Sequence, residues 1–248
     1  MSFIGRLGRL SGLAELAGRS LLDALYPLEC AGCGGSGKII CDSCVDDLPV
    51  LSAPYCVVCA TPGDFARCQV CAETARRFDG IRAPFRYSGA IRKAILEFKY
   101  SGIKAAAPQM GDMLAEYLDS NPLPGDVLVP VPMHRRRLRE RGYNQAELLA
   151  RRVADRCGLD CAPELLYRTR HVGPQAGTAD AAQRATNVVG SVAVTSVAGA
   201  TGTRVILVDD VVTTGNTLET CADALKRAGA VSVWGLTLAV AGGTRLGE

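Results

Sequence analysis

The stretch of sequence that decides the fold is VILVDDVVTTGNT, residues 205–217. Four aliphatic residues predict a buried strand that ends in two carboxylates, Asp209 and Asp210. A short turn rich in hydroxyl groups follows, and apolar residues at helical spacing from Leu218 onward predict a helix. Ligands of open α/β sheets bind at the carboxyl ends of the strands, so this stretch predicts a binding site.

The junction between this strand and this helix suits a phosphorylated sugar. Backbone N–H groups at the start of a helix lack partners and, together with the helix dipole, attract phosphate. Gly215 lets the backbone approach a ligand closely. Three hydroxyl groups add donors: Thr213, Thr214 and Thr217. Asp209 and Asp210 lie about one ribose away, where they would accept hydrogen bonds from its hydroxyls.

A simpler interpretation of the same residues is a capped helix after a strand, with two solvated aspartates. Adjacent carboxylates after four buried aliphatic residues repel each other, however, unless a cationic or hydroxyl-bearing partner offsets the repulsion. We therefore favour the binding site. A P-loop is excluded, because no Gly-Lys-Ser/Thr sequence is present.

Apolar patterns after residue 77 alternate between strands and helices. Strands are predicted at residues 126–133, 204–210 and 231–240, and helical spacing marks residues 91–98, 110–118, 146–153 and 218–225. This alternation predicts an α/β fold, a parallel sheet with helices on both faces. Residues 171–202 are polar and show little periodicity, so a long loop is predicted there.

Eight of the 11 cysteines form four C-x-x-C pairs: Cys30/Cys33, Cys41/Cys44, Cys56/Cys59 and Cys68/Cys71. Two such knuckles complete one tetrahedral site, so sequential pairing predicts two structural zinc ions; cross-braced pairing is the alternative. A segment this short buries too little apolar surface to fold alone, and zinc binding supplies about 10–16 kcal/mol per site. A redox pair or an iron–sulfur cluster fits the regular spacing less well.

Composition is that of an ordinary soluble globular protein, with 48% hydrophobic and 21% charged residues. The net charge of +3 is too small to indicate nucleic-acid binding by itself. Leucines at helical spacing predict an N-terminal amphipathic helix, which packs on its own domain or, alternatively, on a partner or a membrane surface. Charges scattered through it argue against a signal peptide or membrane span, so we expect a cytoplasmic location. The oligomeric state is left open.

Two sets of residues resemble signatures of known families. Residues 205–215 look like the 5-phosphoribosyl-1-pyrophosphate (PRPP) binding signature of type I phosphoribosyltransferases: hydrophobic residues, two acids and Thr-Thr-Gly. Residues 130–134, Arg137 and 141–145, together with 98–102, resemble the ComF-like family. A Cys-rich ribbon ahead of the phosphoribosyltransferase domain is the usual layout of that family.

Leucine spacing, the change of composition near residue 77 and the resemblance together predict three parts: an N-terminal amphipathic helix (1–26), a double zinc ribbon (27–76) and a phosphoribosyltransferase-like domain (77–248). The resemblance implies catalytic roles for Asp209 and Asp210, which would hold the ribose hydroxyls while Mg²⁺ bridges the ribose and the pyrophosphate. The other PRPP-binding residues that it implies lie in two loops: Val211, Val212, Thr213, Thr214, Gly215, Asn216 and Thr217 in one, and Met133, His134, Arg137 and Arg141 in the other.

The implied activity is transfer of phosphoribosyl to an unidentified nitrogen acceptor, with release of pyrophosphate. Purine-salvage enzymes of similar fold place an aspartate where this chain has Thr213, so a 6-oxopurine acceptor is not expected. The alternative is a non-catalytic protein that senses PRPP or handles single-stranded DNA. The resemblance implies such a role, in competence and DNA uptake, for some members of the family.

A dense basic run follows the strand predicted at 126–133: His134, Arg135, Arg136, Arg137, Arg139 and Arg141. One hypothesis is a pyrophosphate site, since arginine makes paired hydrogen bonds to phosphate. A track for single-stranded nucleic acid is a second, and a solvated helix face is a third. Tyr143 is the only aromatic residue near enough in sequence for base stacking. If the run is helical, Arg137 and Arg141 share one face.

Overall fold

A parallel β-sheet organises the chain in the computed structural model, which describes residues 28–100, 103–169 and 191–242. The strands are β1 Gly80–Arg82, β2 Phe85–Arg86, β3 Val127–Pro130, β4 Asp160–Cys161, β5 Leu166–Arg168, β6 Val192–Val194, β7 Arg204–Val212 and β8 Ser232–Val240. The main sheet has the order β1-β8-β7-β3-β4, β2 also pairs with β8, and every pairing is parallel. Strands β5 and β6 form a separate antiparallel pair.

Helices cover both faces of this sheet. They are α1 Asp42–Val45, α2 Gln69–Glu73, α3 Gly89–Tyr100, α4 Ala107–Ser120, α5 Arg135–Arg141, α6 Gln145–Cys157, α7 Val197–Ala200 and α8 Asn216–Arg227. Successive side chains of a strand point to opposite faces. Ile206 and Val208 of β7 pack in the core with α3, α4 and α6, whereas Val205 and Leu207 pack in the core with α8. The predicted fold class is confirmed.

Strand β7 extends beyond the predicted end at residue 210. Val211 lies opposite Ala239 and Val212 opposite Val240, so pairing with β8 carries the strand through Val212. Asp209 and Asp210 are therefore held inside a strand and do not begin the turn. The rigid ladder fixes the backbone of both aspartates.

The long loop predicted over 171–202 is wrong for its last part. Residues 191–202 include β6, which pairs with β5 and buries Val192, and the short helix α7, which buries Ala200. Elements of three or four residues are too short to show periodicity, and pairing with a distant strand defines them instead. Residues 170–190, and the helix predicted at 1–26, lie outside the described residues.

The two cysteine ribbons repeat one backbone pattern. In the first, the Cys30 N–H donates to Gly35 and the Gly34 N–H returns to the Cys30 carbonyl. In the second, the Cys56 N–H donates to Thr61 and the Ala60 N–H returns to the Cys56 carbonyl. The repeated turn needs a left-handed residue, which is Gly34 with φ 77° in the first ribbon and Ala60 with φ 60° in the second.

Both ribbons pack against the sheet domain. Ile39 and Ile40 of the first ribbon are buried in the core that contains α3 and α4, and the Gln109 side chain of α4 hydrogen-bonds both the N–H and the carbonyl of Ile40. The second ribbon accepts a hydrogen bond at the Val58 carbonyl from Ile81 of β1. The hydrophobic core therefore contains residues from both sides of residue 76. The domain boundary predicted at that residue stays a prediction. Among the described helices, none has the length and hydrophobicity needed to cross a membrane.

Candidate functional site

An open cleft of about 1050 Å³ lies where β3 and β7 end. These strands are neighbours, with Pro130 opposite Val208, so the residues that follow them meet at one edge of the sheet. Most of the residues predicted to bind PRPP line the cleft: Met133, His134, Arg137, Arg141, Asp209, Asp210, Val211, Thr213 and Thr217. The remaining four line a smaller adjoining pocket: Val212, Thr214, Gly215 and Asn216.

The turn between β7 and α8 is shaped by Gly215. This residue has φ 77° and directly precedes α8, where it offers no side chain to cap the helix. The Asn216 N–H approaches the Thr214 hydroxyl at 3.4 Å, a weak contact that a stronger acceptor could replace. A helix start of this kind, beside small hydroxyl-bearing residues, is chemically suited to an anion such as phosphate.

The two aspartates of β7 have different surroundings. Asp210 is buried, and its Oδ1 lies 2.7 Å from the Lys99 Nζ. Asp209 is half-buried, and its Oδ1 accepts a hydrogen bond of 2.9 Å from the Asp210 N–H. Sequence reasoning used Lys99 only as part of a family signature and missed this ion pair, since Lys99 lies on a helix remote in sequence from β7.

Burial and mutual repulsion perturb both carboxyl groups. Burial, followed by the charge of Asp210, raises the pKa of Asp209 to about 7. Burial also raises the pKa of Asp210, while the Lys99 ammonium opposes that shift. The pair therefore carries its two negative charges at a cost that a hydroxyl-bearing or cationic ligand would reduce.

The basic run forms helix α5 at the opposite side of the cleft. His134 precedes the helix, and its Nδ1 accepts a hydrogen bond of 3.2 Å from the Arg136 N–H. Arg136 is paired with Glu140 at 2.8 Å, and Arg141 donates to the Gln145 Oε1 at 2.6 Å. Arg137 also lines the cleft, and within the described ranges it has no salt bridge. Arg135 and Arg139 do not line the cleft.

The aromatic side chain that the cleft exposes is not Tyr143, the residue expected to be available for base stacking. Tyr143 is buried, and its hydroxyl donates to the Phe98 carbonyl, so its ring cannot stack on a base. Tyr100 is instead 76% exposed at the cleft, and the Arg141 guanidinium lies 5.3 Å from its ring centroid. Arg168, whose Nε donates to the Pro132 carbonyl at 3.0 Å, also lines the cleft. Neither Arg168 nor Tyr100 was among the site residues predicted from the sequence.

The eight paired cysteines form two groups of four in sequential pairing. One group is Cys30, Cys33, Cys41 and Cys44, and the other is Cys56, Cys59, Cys68 and Cys71. Within each group all ligand atoms lie within 4.8 Å of one another. Zinc–sulfur bonds of about 2.3 Å in a tetrahedron need sulfur atoms about 3.8 Å apart, so both groups fit structural zinc. Four thiolates leave no open position on the metal, which suits a structural role.

A short segment joins the second ribbon to the turn at Gly215. The Arg77 N–H donates to the Glu219 Oε1 at 2.9 Å, and the Arg77 side chain pairs with Asp223, so the segment is fastened to α8. Phe78 is buried with Val212, beneath Gly215. The second ribbon therefore supports the strand-to-helix turn that borders the cleft.

Comparison with known proteins gives the same two parts. The family model described as "Phosphoribosyl transferase domain" matches residues 138–245, and the one described as "Double zinc ribbon domain" matches residues 21–75. Their order along the chain is the layout that the sequence signatures imply. A double zinc ribbon followed by a phosphoribosyltransferase domain supports a ComF-like family for this chain.

Two curated proteins are similar to this chain over most of its length. "Competence protein F" of Haemophilus influenzae is 28% identical over 86% of this chain and 98% of its own length. "Competence protein ComFC" of Bacillus subtilis is 28% identical over 80% of this chain and 83% of its own length.

Solved structures give more distant matches. The "allosteric regulatory enzyme of purine biosynthesis" is 23% identical over 54% of this chain, with a TM-score of 0.38. This chain spans 25% of the length of that enzyme. A purine phosphoribosyltransferase from Pyrococcus horikoshii is 20% identical over 53% of this chain and 70% of its own length, with a TM-score of 0.32.

Proposed function

We propose that this protein binds PRPP in the cleft and transfers its phosphoribosyl group to a nitrogen nucleophile, releasing pyrophosphate. The observation that carries the proposal is the pairing of two features across one cleft. The acidic pair, Asp209 and Asp210, and the turn at 213–217 lie on one side, and the basic helix α5 lies on the other. A sugar with a phosphate at one end and a pyrophosphate at the other has matching chemistry.

Each part of PRPP has a proposed partner. The turn at 213–217 binds the 5-phosphate, with backbone N–H groups of α8 and threonine hydroxyls as donors. The acidic pair accepts hydrogen bonds from the ribose hydroxyls. The loop from Met133 to Arg141 binds the pyrophosphate, with Arg137 and Arg141 supplying charge. Val211 and Val212, which precede the turn, form part of the wall of the 5-phosphate pocket.

The reaction is a displacement at C1 of the ribose, a pentosyl transfer of the glycosyltransferase type. The nitrogen lone pair forms the new bond to C1 while the C1–O bond breaks, and its electron pair leaves on pyrophosphate. In this proposal Arg137 and Arg141, which both line the cleft, stabilise that departing charge. The open cleft accommodates hydrated Mg²⁺ carried in by PRPP, and the ion would neutralise part of the pyrophosphate charge. Thr213 argues against a 6-oxopurine acceptor.

A second candidate is a PRPP sensor, or a protein that handles single-stranded DNA in the competence machinery. The names of the two curated relatives favour it, and so do Arg135 and Arg139, which lie exposed on α5 away from the cleft. For either function we propose the cytoplasm as the location. The eight paired cysteines suit metal-binding thiolates rather than disulfides, which is typical of proteins in a reducing compartment.

Calorimetric titration with PRPP, with and without Mg²⁺, tests the common part of both proposals. A screen for pyrophosphate release over nitrogen bases and amines then separates them. Binding with turnover supports the transferase, whereas binding without turnover over the whole screen supports the sensor. Absence of PRPP binding would contradict the transferase and the sensor. Salt-dependent binding of single-stranded DNA that is lost in Arg135→Ala/Arg139→Ala would support the DNA-handling role.

A further inference from the structure

The ion pair between Lys99 and Asp210 is unusual in being buried at the wall of an open cleft. The Lys99 side chain is 18% exposed and that of Asp210 is 8% exposed, with 2.7 Å between the Nζ and the Oδ1. Removing two charges from water costs free energy that their attraction only partly returns, so such a pair is weak evidence for stability. Its position beside the proposed ribose site points to a role in ligand binding.

The backbone directly before Lys99 is held by side chains of a distant segment. The preceding residue, Phe98, is fully buried, and its carbonyl accepts hydrogen bonds from the Tyr143 hydroxyl and the Gln145 Nε2. Gln145 in turn accepts a hydrogen bond from Arg141, the last residue of the basic helix α5. The end of α3 is thus tied to the loop that borders the proposed pyrophosphate site, and Lys99 is held rather than free to sample many rotamers.

Among the residues that the structure describes, Lys99 is the cation in direct contact with Asp210. The other charges that face the acidic pair come from Arg141 at the end of α5, Arg168 of β5, and the two aspartates themselves. Arg141 is held by Gln145 and acts on Asp210 from farther away. Lys99 therefore carries most of the compensation of the Asp210 charge.

We infer that Lys99 is a positioning residue of the PRPP site: its ammonium keeps Asp210 ionised and oriented so that this carboxylate accepts a ribose hydroxyl. The inference rests on the proposed function and adds a residue outside the strand-to-helix turn. Lys99 acts through Asp210 and is not itself assigned to the transfer step. An ionised carboxylate accepts hydrogen bonds from both partners at once, whereas a protonated one loses acceptor capacity and strength.

The test compares three substitutions by calorimetric titration of Mg²⁺–PRPP at about pH 7 and pH 9. Lys99→Gln keeps a hydrogen-bond donor but removes the charge, and we expect about tenfold weaker binding at pH 7, the effect of a lost charged hydrogen bond. A higher pH favours the ionised form of Asp210, so the deficit of Lys99→Gln relative to wild type should be smaller at pH 9 than at pH 7. Lys99→Arg keeps the charge and should bind within about threefold of wild type. Lys93→Gln, an exposed lysine on the same helix, is the matched control and should bind like wild type at both pH values.

Four results overturn the inference in distinguishable ways. Equal affinity of Lys99→Gln and wild type at pH 7, or a deficit that persists unchanged at pH 9, removes the positioning role but leaves the proposed function. If Lys99→Gln does not fold, Lys99→Arg decides: a folded Lys99→Arg that loses affinity more than about tenfold shows that a fixed charge is not sufficient. Absence of PRPP binding by the wild type overturns the proposed function, and the inference falls with it.

Discussion

Replacing Asp209 by asparagine should stabilise the free protein, and more so as the pH rises. Burial and the neighbouring Asp210 raise the pKa of Asp209 from 3.8 to about 7. Between about pH 4 and pH 7 the folded state therefore retains a proton that the unfolded state gives up. The free energy of unfolding falls as the pH rises through this range. Above pH 7 the full penalty is present. Asparagine removes the ionisation while keeping an oxygen that accepts the hydrogen bond from the Asp210 N–H.

The size of the effect follows from the shift. About three pKa units at 1.36 kcal/mol each would set an upper limit of about 4 kcal/mol. Partial exposure of Asp209 and relaxation of its surroundings reduce this, so we expect a gain of about 1–2 kcal/mol in the free energy of unfolding near pH 8. The gain should be smaller at pH 6, where the wild type is mostly protonated at this site.

Urea unfolding of zinc-loaded protein at pH 6 and pH 8 measures the effect. Asp160→Asn is the matched control, because Asp160 is an exposed aspartate in β4 of the same sheet, and it should change stability by less than about 0.5 kcal/mol. Asp209→Asn should also weaken PRPP binding, since stability and function trade off at a binding site. A less stable Asp209→Asn, or a gain that shrinks from pH 6 to pH 8, would refute the electrostatic reasoning.

Three further predictions address the other parts of the molecule. Elemental analysis should find about two zinc ions per chain. Cys30→Ser and Cys68→Ser should each remove one ion, because the two cysteines belong to different groups of four. Iron in place of zinc, or loss of both ions in either variant, would contradict this prediction. Arg137→Ala and Arg141→Ala should weaken pyrophosphate binding in calorimetry more than Arg136→Ala, whose charge Glu140 already compensates; equal losses would indicate a diffuse basic patch. Gly215→Ala should lower the free energy of unfolding by about 1–2 kcal/mol, because φ is 77° there and no atom blocks a Cβ; an unchanged unfolding midpoint would mean that the turn adapts.

The acidic pair also explains why a single substitution is more informative than a double one. Asp210→Asn leaves the Lys99 ammonium buried beside a neutral amide, so this variant should lose stability, in contrast to Asp209→Asn. Neutralising both residues together combines a gain with a loss. Thermal melting of the two single variants therefore distinguishes the aspartates, which look equivalent in the sequence.

Local sequence determined the features that depend on neighbouring residues. Alternation of apolar runs with helical spacing predicted β7, β8 and the helices α3, α4, α6 and α8, because burial imposes a period of about two or 3.6 residues. Four C-x-x-C pairs indicated two metal sites, because one knuckle supplies two adjacent ligands and a tetrahedral site needs four. The residues after β3 and β7 could be placed at one edge of the sheet because parallel strands share their direction.

Only the tertiary structure decided which remote groups meet. Sequential pairing of the cysteine knuckles, the strand pairing of residues 192–194, and the burial of Tyr143 with exposure of Tyr100 all depend on contacts between distant segments. The Lys99–Asp210 pair is the clearest case. An ion pair depends on a distance of a few ångströms and on the exclusion of water. The spacing of residues along the chain specifies neither the distance nor the burial.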